Sequence, residues 1–151
     1  MRGLIALIFL INVFVVFAVD QFVFDVVFTC SYRQRAKFNY NVQFFEKDSW
    51  SSSDDRITDQ KIGSARPTET YFTMYGHQDG DEYWSEGYEV YMILYHDCTE
   101  YQKEEEVRLN IEPKCEIGKE MCHFTISKDL KELKGEDVYK AKLDYGKTEE
   151  K

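Results

Sequence analysis

The sequence predicts an all-β protein, an antiparallel β-sandwich of roughly seven to nine short strands. Three observations carry this prediction. Aromatic residues make up 16% of the chain and only 2 positions are Pro, a composition suited to pleated, half-buried surfaces. Apolar residues recur at every second position in several short segments, with polar turns between them. Four cysteines lie downstream of an apolar leader, the pattern of a domain tied by disulfides. No repeat of about 20–50 residues is visible, so a solenoid or propeller is not supported.

The leader spans residues 1–18. Arg2 precedes an apolar run over residues 4–17 that only Asn12 interrupts, and Val16, Phe17 and Ala18 offer small or modest side chains before a cleavage site after Ala18. This is the layout of a secretory signal peptide. An uncleaved anchor is the rival reading, but a spanning helix needs about 20 apolar residues and this run ends sooner, at Asp20. Cleavage leaves one domain over residues 19–145 and a charged tail over residues 146–151, with no transmembrane segment. It also removes Arg2, taking the formal net charge from −9 to about −10, which repels phosphate backbones and excludes nucleic acid as a natural partner. The basic residues Arg33, Arg35 and Lys37 fall in a polar turn and read as solvated.

The strands follow in order. Phe22 to Cys30 places Phe22, Phe24, Val26 and Phe28 on one face and Val23, Asp25, Val27 and Thr29 on the other, the alternation of a half-buried strand. After the turn at residues 31–38, Tyr40 to Glu46 alternates again, joined to the first strand by a hairpin or a sheet-to-sheet connection. Residues 48–55, rich in Ser and Asp, make a loop with Trp50 near the surface. A weak edge strand is expected around Ile57 to Ile62 and a better one over Thr70 to Gly76, before a loop at residues 77–82. Glu89 to His96 is apolar at nearly every position and belongs at the centre of a sheet. Val107 to Ile111 and Cys122 to Ser127 supply two more strands. Leu130 and Leu133 stand three apart and allow a short helix over residues 128–134. Val138 to Tyr145 is the last strand, and its exposed edge could pair two copies.

Three stretches resemble the nematode transthyretin-like family of small secreted proteins. The first joins Phe28, Thr29 and Cys30 to the segment Asn41–Asp48. The second is Tyr71 to Gly76. The third and most specific is Tyr91 to Cys98, which ends in Tyr95, His96, Asp97 and Cys98, and is followed by a strand-like segment from Cys122 to Ile126. The resemblance implies a transthyretin-like, immunoglobulin-like β-sandwich, with Tyr95, His96, Asp97 and Cys98 as the family motif. This chain departs from the family in a longer Thr99–Met121 connection containing Cys115 and in lacking a cysteine near its C-terminus. Four cysteines allow three pairings. If the first strand and the Tyr-His-Asp-Cys strand end on the same side of the sandwich, Cys30 pairs with Cys98 and Cys115 with Cys122. The competing set is Cys98 with Cys122 and Cys30 with Cys115.

Catalytic signatures are absent from the sequence. No Gly-rich phosphate loop, Ser-His-Asp set or nucleophile-elbow turn is present. The transthyretin-fold hydrolases of 5-hydroxyisourate end in Tyr-Arg-Gly-Ser, whereas this chain runs Tyr145, Gly146, Lys147. His77, His96 and His123 are far apart in sequence. His96, at the end of a central strand, is read as hydrogen-bonded to a neighbouring carboxylate or carbonyl rather than as a proton carrier. No metal is expected, because the cysteines lack CxxC spacing and no HxxxH accompanies them. The acidic pairs Asp54–Asp55 and Asp79–Glu82 lack the spacing of a calcium loop. No cofactor is implied.

These observations favour a secreted, non-enzymatic binding protein. The resemblance implies an extracellular adaptor or a signalling or clearance factor that contacts a protein receptor or a lipid. The alternative is an extracellular carrier of a small apolar ligand or hormone, held in a cavity or dimer channel lined by Phe and Tyr.

Overall fold

The computed structural model describes residues 19–48, 54–79 and 87–146. The leader, the Trp50 loop, the apex after Asp79 and the tail beyond Gly146 therefore lie outside the described residues.

Alternation sets the architecture. β1 (Asp20–Thr29), β2 (Phe38–Glu46) and β6 (Val90–His96) each bury alternate side chains, and two sheets close over them. The first sheet has four strands in the order β10 (Lys142–Tyr145), β8 (Met121–Asp129), β1 and β5 (Thr70–Gln78). The second runs β3 (Asp55–Arg56), β2, β6, β7 (Glu105–Glu112) and β9 (Gly135–Lys140), with β4 (Lys61–Ala65) also pairing β2. The result is the predicted all-β sandwich, with β6 central in its sheet. The β1–β2 link is the sheet-to-sheet connection, since the two strands lie in different layers.

The pairing is mostly antiparallel, but each sheet contains one parallel pair. β1 runs parallel to β8 with Phe24 opposite Phe124, and β7 runs parallel to β9 with Leu109 opposite Asp137. Both pairs join strands distant in sequence, which periodicity within one segment does not report.

Between the layers lies an aromatic core. Phe24 of β1 stacks on Phe44 of β2 at 3.8 Å between ring centroids, and on Phe124 of β8 at 5.5 Å. Phe28 meets Phe72 edge to face at 5.6 Å, and Phe72 stacks on Tyr40 at 5.2 Å. Phe22, Phe24, Phe28, Phe38, Phe44 and Phe124 are all fully buried. Each buried ring contributes about 1.5–3 kcal/mol, so these contacts dominate the fold energetically.

The helix expected over residues 128–134 is not formed. The strand period wins, as Cys122, Phe124 and Ile126 are buried while Thr125 and Ser127 are exposed, and β8 continues to Asp129. Leu130 is then drawn into the core, its amide bonded to the Thr29 carbonyl at 2.9 Å. The chain makes one tight turn from Leu130 to Leu133, and positive φ at Glu132 (54°) and Gly135 (72°) prevents helical continuation. The strand expected over Val138 to Tyr145 is split between the sheets. Ala141 donates to the Glu112 carbonyl at 2.7 Å and marks the crossing from β9 to β10. Its predicted inner face survives the split, because Tyr139, Ala141 and Leu143 all pack against the core.

Candidate functional site

The cysteines and the Tyr95–Cys98 motif meet at one end of the sandwich. Cys30 follows β1 and Cys98 follows β6, so the Cys30–Cys98 disulfide ties the two sheets together across a Cα separation of 5.8 Å. Cys115 lies in the β7–β8 connection and pairs with Cys122 of β8, with Cα atoms 6.1 Å apart. All four cysteines are fully buried. Two such pairs belong to an oxidising compartment.

His96 is 1% exposed. The Cys98 amide donates to its Nδ1 at 3.1 Å, which leaves the proton on Nε2, and Nε2 donates to the Leu133 carbonyl at 2.9 Å. Burial holds the imidazole below its ordinary pKa, against the opposing pull of the Leu133 carbonyl, Asp97, Glu105 and Glu132. His96 is thus a neutral cross-strut rather than a proton carrier. Asp97 accepts the Asn39 amide at 2.7 Å and the Asn39 side chain at 2.6 Å, fastening β2 to the end of β6. Tyr95 faces outward beside Glu106, and desolvation, followed by Glu106, raises its phenol pKa.

Arg35, read from sequence as solvated, instead clamps two loops. Its guanidinium donates to the Asp97 carbonyl at 2.7 Å and the Glu100 carbonyl at 3.0 Å, and lies 4.6 Å from the Tyr32 ring. Tyr32 donates its hydroxyl to Glu132, which pushes the phenol up to about 12. The basic residues therefore serve the corner around Cys98 rather than forming an anion site.

A second cluster, not anticipated from sequence, occupies the outer face of the four-stranded sheet. Asp25 in the middle of β1 accepts from the Thr73 hydroxyl at 2.6 Å and the Tyr71 hydroxyl at 2.9 Å on β5. On its other side, His123 of β8 donates Nε2 to Asp25 at 2.7 Å. The Thr73 hydrogen bond is the largest influence holding the Asp25 carboxyl below its usual range, with His123 and Tyr71 assisting and desolvation opposing. Both hydroxyls donate to the carboxylate and neither to the imidazole, so no activated nucleophile arises from this set. Its effect is to lock three strands into a rigid face on which Tyr71 and Tyr75 stand 62% and 72% exposed. The outward position of Asp25 was legible from alternation, but its partners come from strands about 45–100 residues away, beyond the reach of a local pattern.

Comparison with known proteins gives no relative. No protein-family model, curated protein or solved structure matches the chain.

The three histidines are not gathered. His96 belongs to the six-stranded sheet, and β1 separates His77 from His123 in the other. Among the described residues, no group of His, Cys, Asp and Glu is placed to hold a metal ion, and no helix is long and apolar enough to cross a membrane.

Proposed function

We propose that this chain is a secreted, non-enzymatic binding protein of the transthyretin-like type that acts as an extracellular adaptor or a signalling or clearance factor. The apolar leader and the two disulfides support export. The observation that carries the binding role is the outer face of the four-stranded sheet. Tyr71 and Tyr75 project from it into solvent above an Asp25-centred network that fixes their strand. Tyrosine offers large amphipathic contact area at low entropic cost, and a rigid base reduces the ordering penalty of binding. The partner that suits this face is an extracellular protein, because a chain of net charge −9 disfavours anionic lipid surfaces.

The carrier reading loses its main support, because the rings that would line an internal cavity pack on one another. The test is capture from extracellular fluid with the tagged, secreted chain, identification of the bound protein, and titration of that protein against wild type and a Tyr71→Ala/Tyr75→Ala double variant. If the face binds, the variant weakens affinity by about thirtyfold, the loss of a hot spot worth ~2 kcal/mol. Equal affinity for the two proteins removes this face from the proposal.

A further inference from the structure

We propose that the open edge of β5 pairs antiparallel with β5 of a second copy, about a two-fold axis through Thr73. This inference uses backbone groups and stands independently of the adaptor reading.

The edges of the two sheets are not alike. β3 carries Asp55 and Arg56, β4 carries Lys61, β9 carries Glu136, Asp137 and Lys140, and β10 carries Lys142 and Asp144. Charges on edge strands discourage pairing with other chains. β5 reads Thr-Tyr-Phe-Thr-Met-Tyr-Gly-His-Gln, the longest of these edges at 9 residues, and contains no Asp, Glu, Lys or Arg. The Val138–Tyr145 segment, whose alternation first pointed to self-pairing, is charged in both of its strands and much less suited to it.

The outward direction of the β5 backbone is fixed by one contact. The His77 amide donates to the Ile57 carbonyl at 3.3 Å, away from β1. Polar groups in an antiparallel strand alternate sides, so the amides and carbonyls of Tyr71, Thr73 and Tyr75 share this direction. Among the described residues, the chain's own cover ends at Gly76, which bridges to Thr58, and no hydrogen bond reaches the outward groups of Tyr71, Thr73 or Tyr75.

The edge is also self-complementary. A two-fold axis at Thr73 places Tyr71 opposite the second copy's Tyr75 and Thr73 opposite its equivalent, each pair exchanging both backbone bonds. The same register brings exposed Glu69 opposite the second copy's His77, an unlike pair that occurs twice by symmetry. For a chain carrying −9, an uncharged strip flanked by acid-to-imidazole contacts is a surface on which two copies can meet without charge repulsion. The product is one continuous sheet, with the tyrosines of both copies in a single outward strip.

The test is sedimentation equilibrium of the oxidised, secreted chain, together with amide hydrogen exchange by NMR at several concentrations. The ladder is short, so we expect a monomer–dimer equilibrium with a Kd of about 10–100 μM. The Tyr71, Thr73 and Tyr75 amides should exchange more slowly as concentration rises, while those of Phe72 and Met74, already bonded to β1, should not change. Thr73→Pro removes only an outward amide and should leave the chain monomeric. A charge-swap series serves if that variant folds poorly: Glu69→Lys or His77→Glu alone weakens the dimer severalfold, and the two together restore it. A chain monomeric at roughly 300 μM with fast exchange at Tyr71, Thr73 and Tyr75 overturns the proposal. So does a dimer protected at β9 or β10 instead, or a monomer that gains β5 protection only when an extended foreign peptide is added. Loss of the extracellular protein partner with the dimer intact would count against the adaptor reading alone.

Discussion

Nε2 of the buried His96 lies 2.9 Å from the Leu133 carbonyl, spanning from the end of β6 to the turn before β9. With Nδ1 already accepting the Cys98 amide, a second ring proton would face another donor. Burial lowers the folded-state pKa of this base, so the unfolded chain binds protons more readily through that window. The stabilisation is complete above about pH 6.5 and is lost as pH falls through the folded value. Thermal unfolding followed by circular dichroism should show Tm declining below about pH 6.5, before the carboxylates of Asp25 and Asp129 titrate. His96→Phe should flatten this decline while costing about 1–3 kcal/mol for each buried group left unpaired. An identical slope in the variant would show that His96 is not responsible.

The two disulfides close loops of very different length, with sequence separations of 68 for Cys30–Cys98 and 7 for Cys115–Cys122. In the chain-entropy account, the longer loop restricts the unfolded state more, by about 2 kcal/mol. Replacing each pair by alanines removes similar buried volume, so the difference between the variants isolates this effect. Urea unfolding should rank Cys30→Ala/Cys98→Ala as the less stable. The reverse order would mean that local packing around Cys115 outweighs loop closure.

The layer architecture was legible because Phe22 to Thr29 and Tyr40 to Glu46 alternate cleanly, and period two marks a strand with one buried face whatever its partners are. Pairing direction was not legible: β1 and β8 lie side by side through residues about a hundred positions apart, and nothing in either segment encodes parallel alignment. The apparent helix at Leu130 and Leu133 failed for a related reason. Two leucines three apart satisfy a helical face, but here one fills the core end and the other closes a turn. At the candidate site, the outward Asp25 could be read directly from the sequence, whereas its hydrogen bonds to Thr73 and His123 depend on which strands flank β1.

Gly76 illustrates a constraint that composition hides. A β-carbon built there would lie 2.2 Å from the Ile57 carbonyl oxygen and 2.7 Å from Ile57 Cγ2. The first of these atoms is backbone, fixed by its bond from the His77 amide, so the clash cannot be relieved by a rotamer change. Gly76→Ala should destabilise the fold by about 1–3 kcal/mol, the usual cost of overpacking. The damage should be confined to the bridge between the sheets at Thr58 and Gly76. Amide exchange reads this out: faster exchange at His77 with β6 unaffected is the expected pattern, and wild-type stability would contradict the close approach.

Asp25 offers a test of how the outer face is held. Its carboxyl is kept below the usual range first by the Thr73 hydroxyl, then by His123 and Tyr71, while desolvation pulls the other way. A depressed acid contributes stability that is present above its unfolded pKa of about 3.9 and lost as pH falls through the folded value. Thr73→Val removes the strongest donor without altering the backbone. The Asp25 carboxyl midpoint, followed by carbon-13 NMR, should therefore rise toward about 3.9. Tyr71→Phe should raise it less, because Tyr71 ranks after Thr73 and His123 among the lowering contacts. Acid unfolding of Thr73→Val should accordingly begin at higher pH. If both variants titrate like wild type, Asp25 is held by solvent and general field rather than by its β5 neighbours, and Tyr71 loses the anchor assigned to it here.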